Sequence, residues 1–349
     1  MSVQERGAGL LDELRLPRGW CSPRAYAVAF AFLLAAGLAL GVTRVGRGTL
    51  AKALDSLAGA HPGWLALAAC LFGLGLLCSA SAWRAGLRSC GGKSTFSDVS
   101  ARYAVGSLVN AVAPAHLGGA VRMGLFAQTL DGTDRLWRAG GVASFVAAAR
   151  TLVLAGLVVV AALWSRVPLW PAPIMAAVAI SGVFVCFRLG GRLAGRLGSL
   201  LQVFRSAARC PRTAVRVCGW IGLAFVARLA ASAAVAVSLG VPRPFWVAVV
   251  LVATMSLAGL FPLTPGNFGA GAGAVALALH GSGIALGTAL ATGVAFQAVE
   301  TLAGATLGLA GAATLASPTS PLRRWSIAMA GVGCVVVAAA VGIMTIEVV

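Results

Sequence analysis

Two apolar stretches, Asn110-Ala-Val-Ala-Pro-Ala-His-Leu-Gly118 and Leu263-Thr-Pro-Gly-Asn-Phe-Gly269, share one order: proline, two variable residues, a bulky apolar residue and glycine. Proline interrupts a helix because it removes a hydrogen bond and clashes with the preceding turn. In a bilayer, unpaired backbone is tolerated only where it is buried in protein or lines a wet cavity. Two matching interruptions therefore predict broken helices around a transport site.

The composition of the 349 residues sets the class of protein. Hydrophobic residues make up 59% of the chain and charged residues 10%, with a mean hydropathy of +0.93. A soluble domain carries about 25% charged residues, so this class is excluded. The apolar runs lack the alternation of a membrane barrel and reach the roughly 18 residues that a helix needs to cross a bilayer. The sequence predicts an all-α, polytopic helical membrane protein.

Seven long spans are predicted, at residues 25–42, 63–82, 140–164, 168–187, 219–239, 284–312 and 327–344. Two further segments, 101–118 and 245–280, contain the interruptions, and we expect them to be broken or re-entrant helices. The chain then divides into an N-terminal tail, 1–24, and a single transmembrane domain, 25–349.

The formal charge of +18 is concentrated in loops. The loop predicted at 188–216 carries seven arginines: Arg188, Arg192, Arg196, Arg205, Arg209, Arg212 and Arg216. The positive-inside rule makes this loop and the N-terminus cytoplasmic and the C-terminus external, in a multi-pass protein of the cell membrane. We interpret the positive charge as orienting the protein in the membrane and attracting anionic lipid headgroups. We expect no nucleic-acid partner.

No cofactor or metal is expected. The eight cysteines contain no CxxC pair, and the three histidines are scattered along the chain. Free thiols in an apolar environment are the expected state of the cysteines.

An internal repeat is the next prediction. Pro265 follows Pro114 by 151 residues, and the same offset superposes the predicted spans of repeat 1, about 25–164, on those of repeat 2, about 168–344. The matched spans run in opposite directions, so the repeats are predicted to be inverted. Inverted repeats place a site near the bilayer midplane and supply two halves that rock for alternating access.

Glu300 is the one acidic residue inside a predicted long span. A charge there costs about 2.5–3.5 kcal/mol, so Glu300 should face the bundle interior and pair with an arginine. The repeat offset favours Arg150 as the partner, with Arg228 as the alternative. A static structural pair and a moving or ligand-binding pair remain open.

Arg122 lies eight residues after Pro114. A guanidinium beside a broken helix can bind phosphate through two hydrogen bonds, and half-helix N-termini add N–H donors. Snorkelling of Arg122 to the interface is the alternative. The candidate substrate-binding residues are Asn110, Pro114, His116, Gly118, Arg122, Arg150, Arg228, Pro265, Gly266, Asn267, Gly269, Gln297 and Glu300.

The pattern Asn110-x3-Pro114-x3-Gly118 with Arg122, followed by Pro262-Leu-Thr-Pro-Gly-Asn-Phe-Gly269, resembles the transmembrane-region family of lysylphosphatidylglycerol synthases, or flippase-like domain proteins. The resemblance covers nearly the whole chain. It implies an inner-membrane protein related to the part of the multiple peptide resistance factor that moves aminoacylated phosphatidylglycerol between leaflets. An aminoacyl-transferase domain is not expected here, since the chain ends after the last span.

This chain departs from the family pattern at three carboxylate positions, where it has Gly119, Ala149 and Ala272. We therefore expect an anionic phospholipid or a polyprenyl-type lipid rather than a lysyl lipid, and no enzymatic activity. A lipid-modifying membrane enzyme and a non-transporting accessory subunit are the alternatives. A homo-oligomer is also compatible with the sequence.

Overall fold

A computed structural model describes residues 47–112, 117–164, 171–189, 195–209, 211–258, 270–316 and 321–347. Every regular element within these ranges is an α-helix, which confirms the all-α class. The chain divides into two units, Met1–Arg47 and Gly48–Val349. The predicted tail 1–24 and the predicted span 25–42 lie outside the described residues.

Thirteen helices are described: α1 Arg47–Ala58, α2 Pro62–Ser89, α3 Phe96–Val112, α4 Leu117–Ala127, α5 Arg135–Trp164, α6 Pro171–Leu189, α7 Gly195–Leu200, α8 Gln202–Arg209, α9 Pro211–Ser238, α10 Pro244–Ala258, α11 Ala270–His280, α12 Leu286–Leu315 and α13 Pro321–Glu347. Four of them, α2, α5, α9 and α12, are long and apolar enough to cross a bilayer. They overlap almost completely with the spans predicted at 63–82, 140–164, 219–239 and 284–312. The described residues do not confirm the predicted total of seven long spans.

The segment 188–216, predicted as a basic loop between spans, contains helical structure. Helix α6 extends to Leu189, α7 and α8 follow, and α9 already begins at Pro211. Helix α8 is amphipathic, because Val203, Phe204 and Ala207 are buried while Arg209 is exposed. A short amphipathic helix lacks the apolar length on which the spans were predicted, so it was missed.

Both interruptions separate two short helices. Helices α3 and α4 flank residues 113–116, and α10 and α11 flank residues 259–269. Helices α3 and α4 run antiparallel, since Arg102 near the start of α3 donates to the Leu125 carbonyl at 2.7 Å and Ser107 accepts from Arg122. Helices α3 and α4 therefore form a helical hairpin, which we call the first hairpin.

The order and length of the helices repeat along the chain. Helices α2 to α5 contain 28, 17, 11 and 30 residues, and α9 to α12 contain 28, 15, 11 and 30. Each helix of the second set begins about 150 residues after its counterpart. This spacing agrees with the offset between the two proline motifs. The inverted orientation of the halves stays a prediction.

Aromatic pairs mark the two larger clusters of buried side chains. In the first, Trp83 of α2 stacks on Phe126 of α4 with ring centroids 4.7 Å apart. In the second, Phe72 of α2 meets Phe296 of α12 edge to face at 5.1 Å. Helix α2 thus contributes to both clusters. Large apolar side chains such as Phe245 are exposed, as expected where hydrocarbon replaces water as the solvent.

Candidate functional site

Gly118 permits close contact within the first hairpin. A methyl group at this position would overlap the Gly106 carbonyl oxygen and the backbone of Asn110. Only a residue without a side chain therefore allows α4 to approach α3 this closely. The structure brings together Asn110 and Gly118, two of the predicted site residues, and their contact closes the hairpin.

Arg122 lies one turn after Gly118 and turns towards α3. Its Cζ lies 4.0 Å from the centroid of the Tyr103 ring, and its Nη2 donates to Ser107 Oγ at 3.0 Å. Its Nε is buried without a hydrogen-bond partner. A guanidinium over an aromatic face is held by the ring quadrupole. Arg122 therefore has a fixed place inside the hairpin and does not extend freely towards the interface.

A second arginine reaches the same tyrosine. Arg150 of α5 and Ser79 of α2 lie near the Tyr103 hydroxyl. Arg122 and Arg150 are also close enough for their charges to repel each other. We call Tyr103, Ser107, Arg122 and Arg150 the paired-arginine cluster.

No carboxylate neutralises the paired-arginine cluster within the described residues. The ion pairs found there are Arg102 with Asp98, at 2.9 Å, and Arg228 with Glu300. Two guanidinium groups near one tyrosine, without a carboxylate partner among the described residues, attract an anion, and phosphate accepts from arginine in a favourable geometry. The cluster is the strongest candidate for an anion site. Tyr103 and Ser107 were not predicted as site residues; the one signal in the sequence was that Tyr103 is one of two tyrosines in the chain.

Glu300, the carboxylate inside a predicted span, pairs with Arg228. Arg228 Nη2 lies 2.9 Å from Glu300 Oε1 and donates to Oε2 at 3.1 Å. The alternative partner named from sequence is confirmed, and the preferred partner, Arg150, is wrong. Equivalent positions in two repeats meet only if they lie near the axis that relates the repeats, and Arg150 instead faces Tyr103.

The ion pair is partly accessible. The side chains of Arg228 and Glu300 are 29% and 36% exposed, and the Arg228 guanidinium lies 5.5 Å from the Phe296 ring centroid. The pair is therefore not fully enclosed by the described residues.

Helix α12 passes the first interruption near Glu300. Gly308 packs against Ala104 and Leu108, and Gly311 packs against Ala101, so α12 runs antiparallel to α3. Glu300 precedes Gly308 by two turns, or about 12 Å along the axis. This distance puts Glu300 level with the end of α3.

The same helix passes the second interruption one to two turns earlier. Gly293 packs against the backbone of Ala272, near the start of α11. Gln297, a predicted site residue, is buried in this stretch. Residues 293–300 therefore bring Gln297 and Glu300 close to the described ends of both interrupted segments.

The remaining predicted site residues lie outside the described residues: Pro114, His116, Pro265, Gly266, Asn267 and Gly269. Their part in a site stays a prediction.

One comparison with known proteins identifies a relative of this chain. The family described as the lysylphosphatidylglycerol synthase TM region matches residues 25–308, which is most of the sequence. No curated protein and no solved structure matches.

Proposed function

Because this chain belongs to the lysylphosphatidylglycerol synthase TM-region family, and is accordingly a multi-pass membrane protein, we propose that it moves an anionic lipid between the leaflets of the inner membrane. The lipid is an anionic phospholipid or a polyprenyl-type lipid-linked intermediate. The protein translocates it without changing it covalently. Its N-terminus and the basic segment around α7 and α8 lie on the cytoplasmic side, and its C-terminus lies outside.

The paired-arginine cluster is the observation that carries this proposal. Arg122 and Arg150 present two positive charges around Tyr103, and no described carboxylate offsets them. The unpartnered Nε of Arg122 is a further donor. A lipid phosphate would remove the repulsion between the guanidinium groups and accept hydrogen bonds from them. The substrate headgroup is therefore proposed to bind beside the first hairpin.

The three missing family carboxylates support an anionic substrate. Ala149 and Ala272 are buried, and the backbone of Ala272 packs against Gly293. A carboxylate at either position would be a buried charge, and Gly119 has no side chain at all. The chain therefore offers no described carboxylate at these positions to neutralise a lysyl ammonium group.

The ion pair on α12 supports a movement between two states. It is partly exposed and lies beside the ends of both interrupted segments. In the proposed mechanism the two halves are inverted repeats, each with one re-entrant segment, and they rock about the region around Glu300. Exchange of the Arg228 partner between Glu300 and a passing phosphate would couple binding to that movement.

A reconstituted assay tests the proposal. Full-length protein is placed in liposomes that contain headgroup-labelled phosphatidylglycerol, and the inner-leaflet label that becomes accessible to an impermeant quencher is measured. We expect movement of labelled phosphatidylglycerol and much slower movement of labelled phosphatidylcholine. Covalent conversion of the lipid would instead support a membrane enzyme. The absence of both movement and conversion would support an accessory subunit.

A further inference from the structure

A cavity opens between two helices outside the paired-arginine cluster. Helices α2 and α9 run antiparallel and pack closely where Gly75 meets Ala224 and Ala227. Towards the end of α2 and the beginning of α9 a cavity of about 740 Å³ lies between them. We call this cavity the α2–α9 pocket. Its size falls within the usual range for small-molecule sites, roughly 300–1,000 Å³.

One end of the pocket is cationic. Arg84 and Arg88 of α2 line it together with Arg216 of α9, and no carboxylate belongs to the lining. Arg84 and Arg88 are one helical turn apart, so their like charges repel. Arg84 Nε donates to the Ser94 carbonyl at 3.4 Å, while Arg88 and Arg216 have no ion-pair partner in the described part of the chain. A cavity lined by three arginines and no carboxylate favours a bound anion.

The other end of the pocket is apolar. Leu74 and Leu77 line it three to four turns before Arg88, and Leu74 is 47% exposed. The helix rises about 21 Å between Leu74 and Arg88. Trp220 borders the pocket and is partly exposed, as tryptophan is at the boundary between headgroups and hydrocarbon. A ligand that fills the whole pocket therefore needs an anionic end and an apolar end.

We infer that the α2–α9 pocket binds an anionic lipid, with its phosphate between Arg84, Arg88 and Arg216 and the start of an acyl chain along Leu74 and Leu77. The apolar end favours a lipid phosphate over a free phosphate ester. The inference goes beyond the proposed function, because the pocket holds its lipid whether or not the protein moves lipid. The pocket is also separate from the paired-arginine cluster: on α2, Cys78 and Ser81 face the pocket and Ser79 faces Tyr103.

Trp220 reports on the pocket directly. The full chain is purified in a neutral detergent and titrated with brominated phosphatidylglycerol or brominated phosphatidylcholine, whose bromines quench nearby tryptophans. The contribution of Trp220 is the difference between the parent protein and Trp220→Phe. We expect saturable quenching of Trp220 by the phosphatidylglycerol, with at least fivefold weaker apparent binding of the phosphatidylcholine.

The double variant Arg88→Gln, Arg216→Gln tests the cationic end. Neither side chain makes a described hydrogen bond to the protein, so the variant should fold, which its thermal unfolding curve verifies. We expect at least a fivefold loss of phosphatidylglycerol binding at Trp220. Arg212→Gln is the matched control, since Arg212 is exposed on the same helix and does not line the pocket. Arg122→Gln should also leave the Trp220 signal unchanged, even if it abolishes translocation.

Three results would overturn the inference. Binding that is unchanged in the double variant would remove the arginines from the site. An equal loss in Arg212→Gln would show that surface charge alone attracts the lipid. Displacement of the lipid by an equimolar amount of soluble glycerol phosphate would identify a free phosphate ester, not a lipid, as the ligand.

Discussion

Arg228 and Glu300 form an ion pair within the second half of the chain, with Arg228 Nη2 2.9 Å from Glu300 Oε1. The paired-arginine cluster lies within the first half, on α3, α4 and α5. Each half therefore has its own charged group, and among the described residues only the second group is neutralised by a carboxylate. The ion pair stabilises one half internally and does not join the two halves.

Glu300→Gln should lower the free energy of unfolding by about 1–3 kcal/mol. This lies between the loss expected on breaking an exposed ion pair and the loss expected on breaking a fully buried one. The substitution leaves the Arg228 guanidinium without its counter-charge. Glu300→Gln with Arg228→Gln should recover part of the lost stability, whereas Glu300→Gln with Arg150→Gln should not. Thermal unfolding in detergent measures all three. Equal recovery with Arg150→Gln would contradict the assigned partner.

The same double variant distinguishes a static structural ion pair from one that exchanges with lipid phosphate. If the pair only stabilises the fold, Glu300→Gln with Arg228→Gln should translocate lipid at the rate of the parent protein. If the pair exchanges with lipid phosphate, the variant should fold and still transport at least tenfold more slowly. The proteoliposome assay decides between these outcomes.

Arg122→Gln should reduce the translocation of anionic lipid at least tenfold while the protein stays folded. The change removes the charge over Tyr103 and the donor to Ser107. Tyr103→Phe keeps the aromatic face and should have a smaller effect. Arg209→Gln, an exposed arginine on α8, is the control. Normal transport by a folded Arg122→Gln protein would remove Arg122 from the proposed site.

Gly118→Ala should destabilise the first hairpin by roughly 1–3 kcal/mol, because the added methyl group overlaps Gly106 and Asn110. Gly119→Ala is a matched control one residue away. A Cβ there meets nothing within 4 Å, so the variant should be neutral or slightly more stable. Equal thermal midpoints for the two variants would contradict the close packing of α3 on α4.

Cysteine labelling tests the orientation. Lys52 on α1 and Arg212 on α9 are both exposed, and the predicted topology puts them on opposite sides of the membrane. In intact cells an impermeant thiol reagent should label Lys52→Cys and not Arg212→Cys, above the background of the native cysteines. Permeabilised cells should show both labels. The reverse pattern in intact cells would invert the topology.

The interrupted segments should be accessible to water. Cysteines placed at His116 and Asn267 should react with a small, water-soluble thiol reagent, although their sequence neighbours are apolar. A cysteine replacing Val226 of α9 should react far more slowly. The Val226 side chain is exposed on the surface of a candidate membrane span, where we expect it to face hydrocarbon and not water. Protection of both test positions in folded protein would favour continuous buried helices over re-entrant segments.

The sequence alone was enough to predict the all-α membrane class, four of the long helices and the family, because each of these depends on local sequence pattern. Apolar length determines whether a helix crosses a bilayer, and Pro114 and Pro265 mark interruptions wherever the helices later pack. The family match over residues 25–308 confirms that resemblance. The position of Glu300 inside a predicted span also identified it as a costly charge that needs a partner.

The packing of the helices determines which residues contact Arg122 and Glu300. Tyr103 lies 19 residues from Arg122, and Arg228 lies 72 residues from Glu300, so both contacts depend on how whole helices pack. The repeat offset predicted Arg150 for Glu300, but equivalence in sequence does not specify distance in space. The α2–α9 pocket depends on packing in the same way. Arg84, Arg88 and Arg216 line one cavity only because α2 packs beside α9.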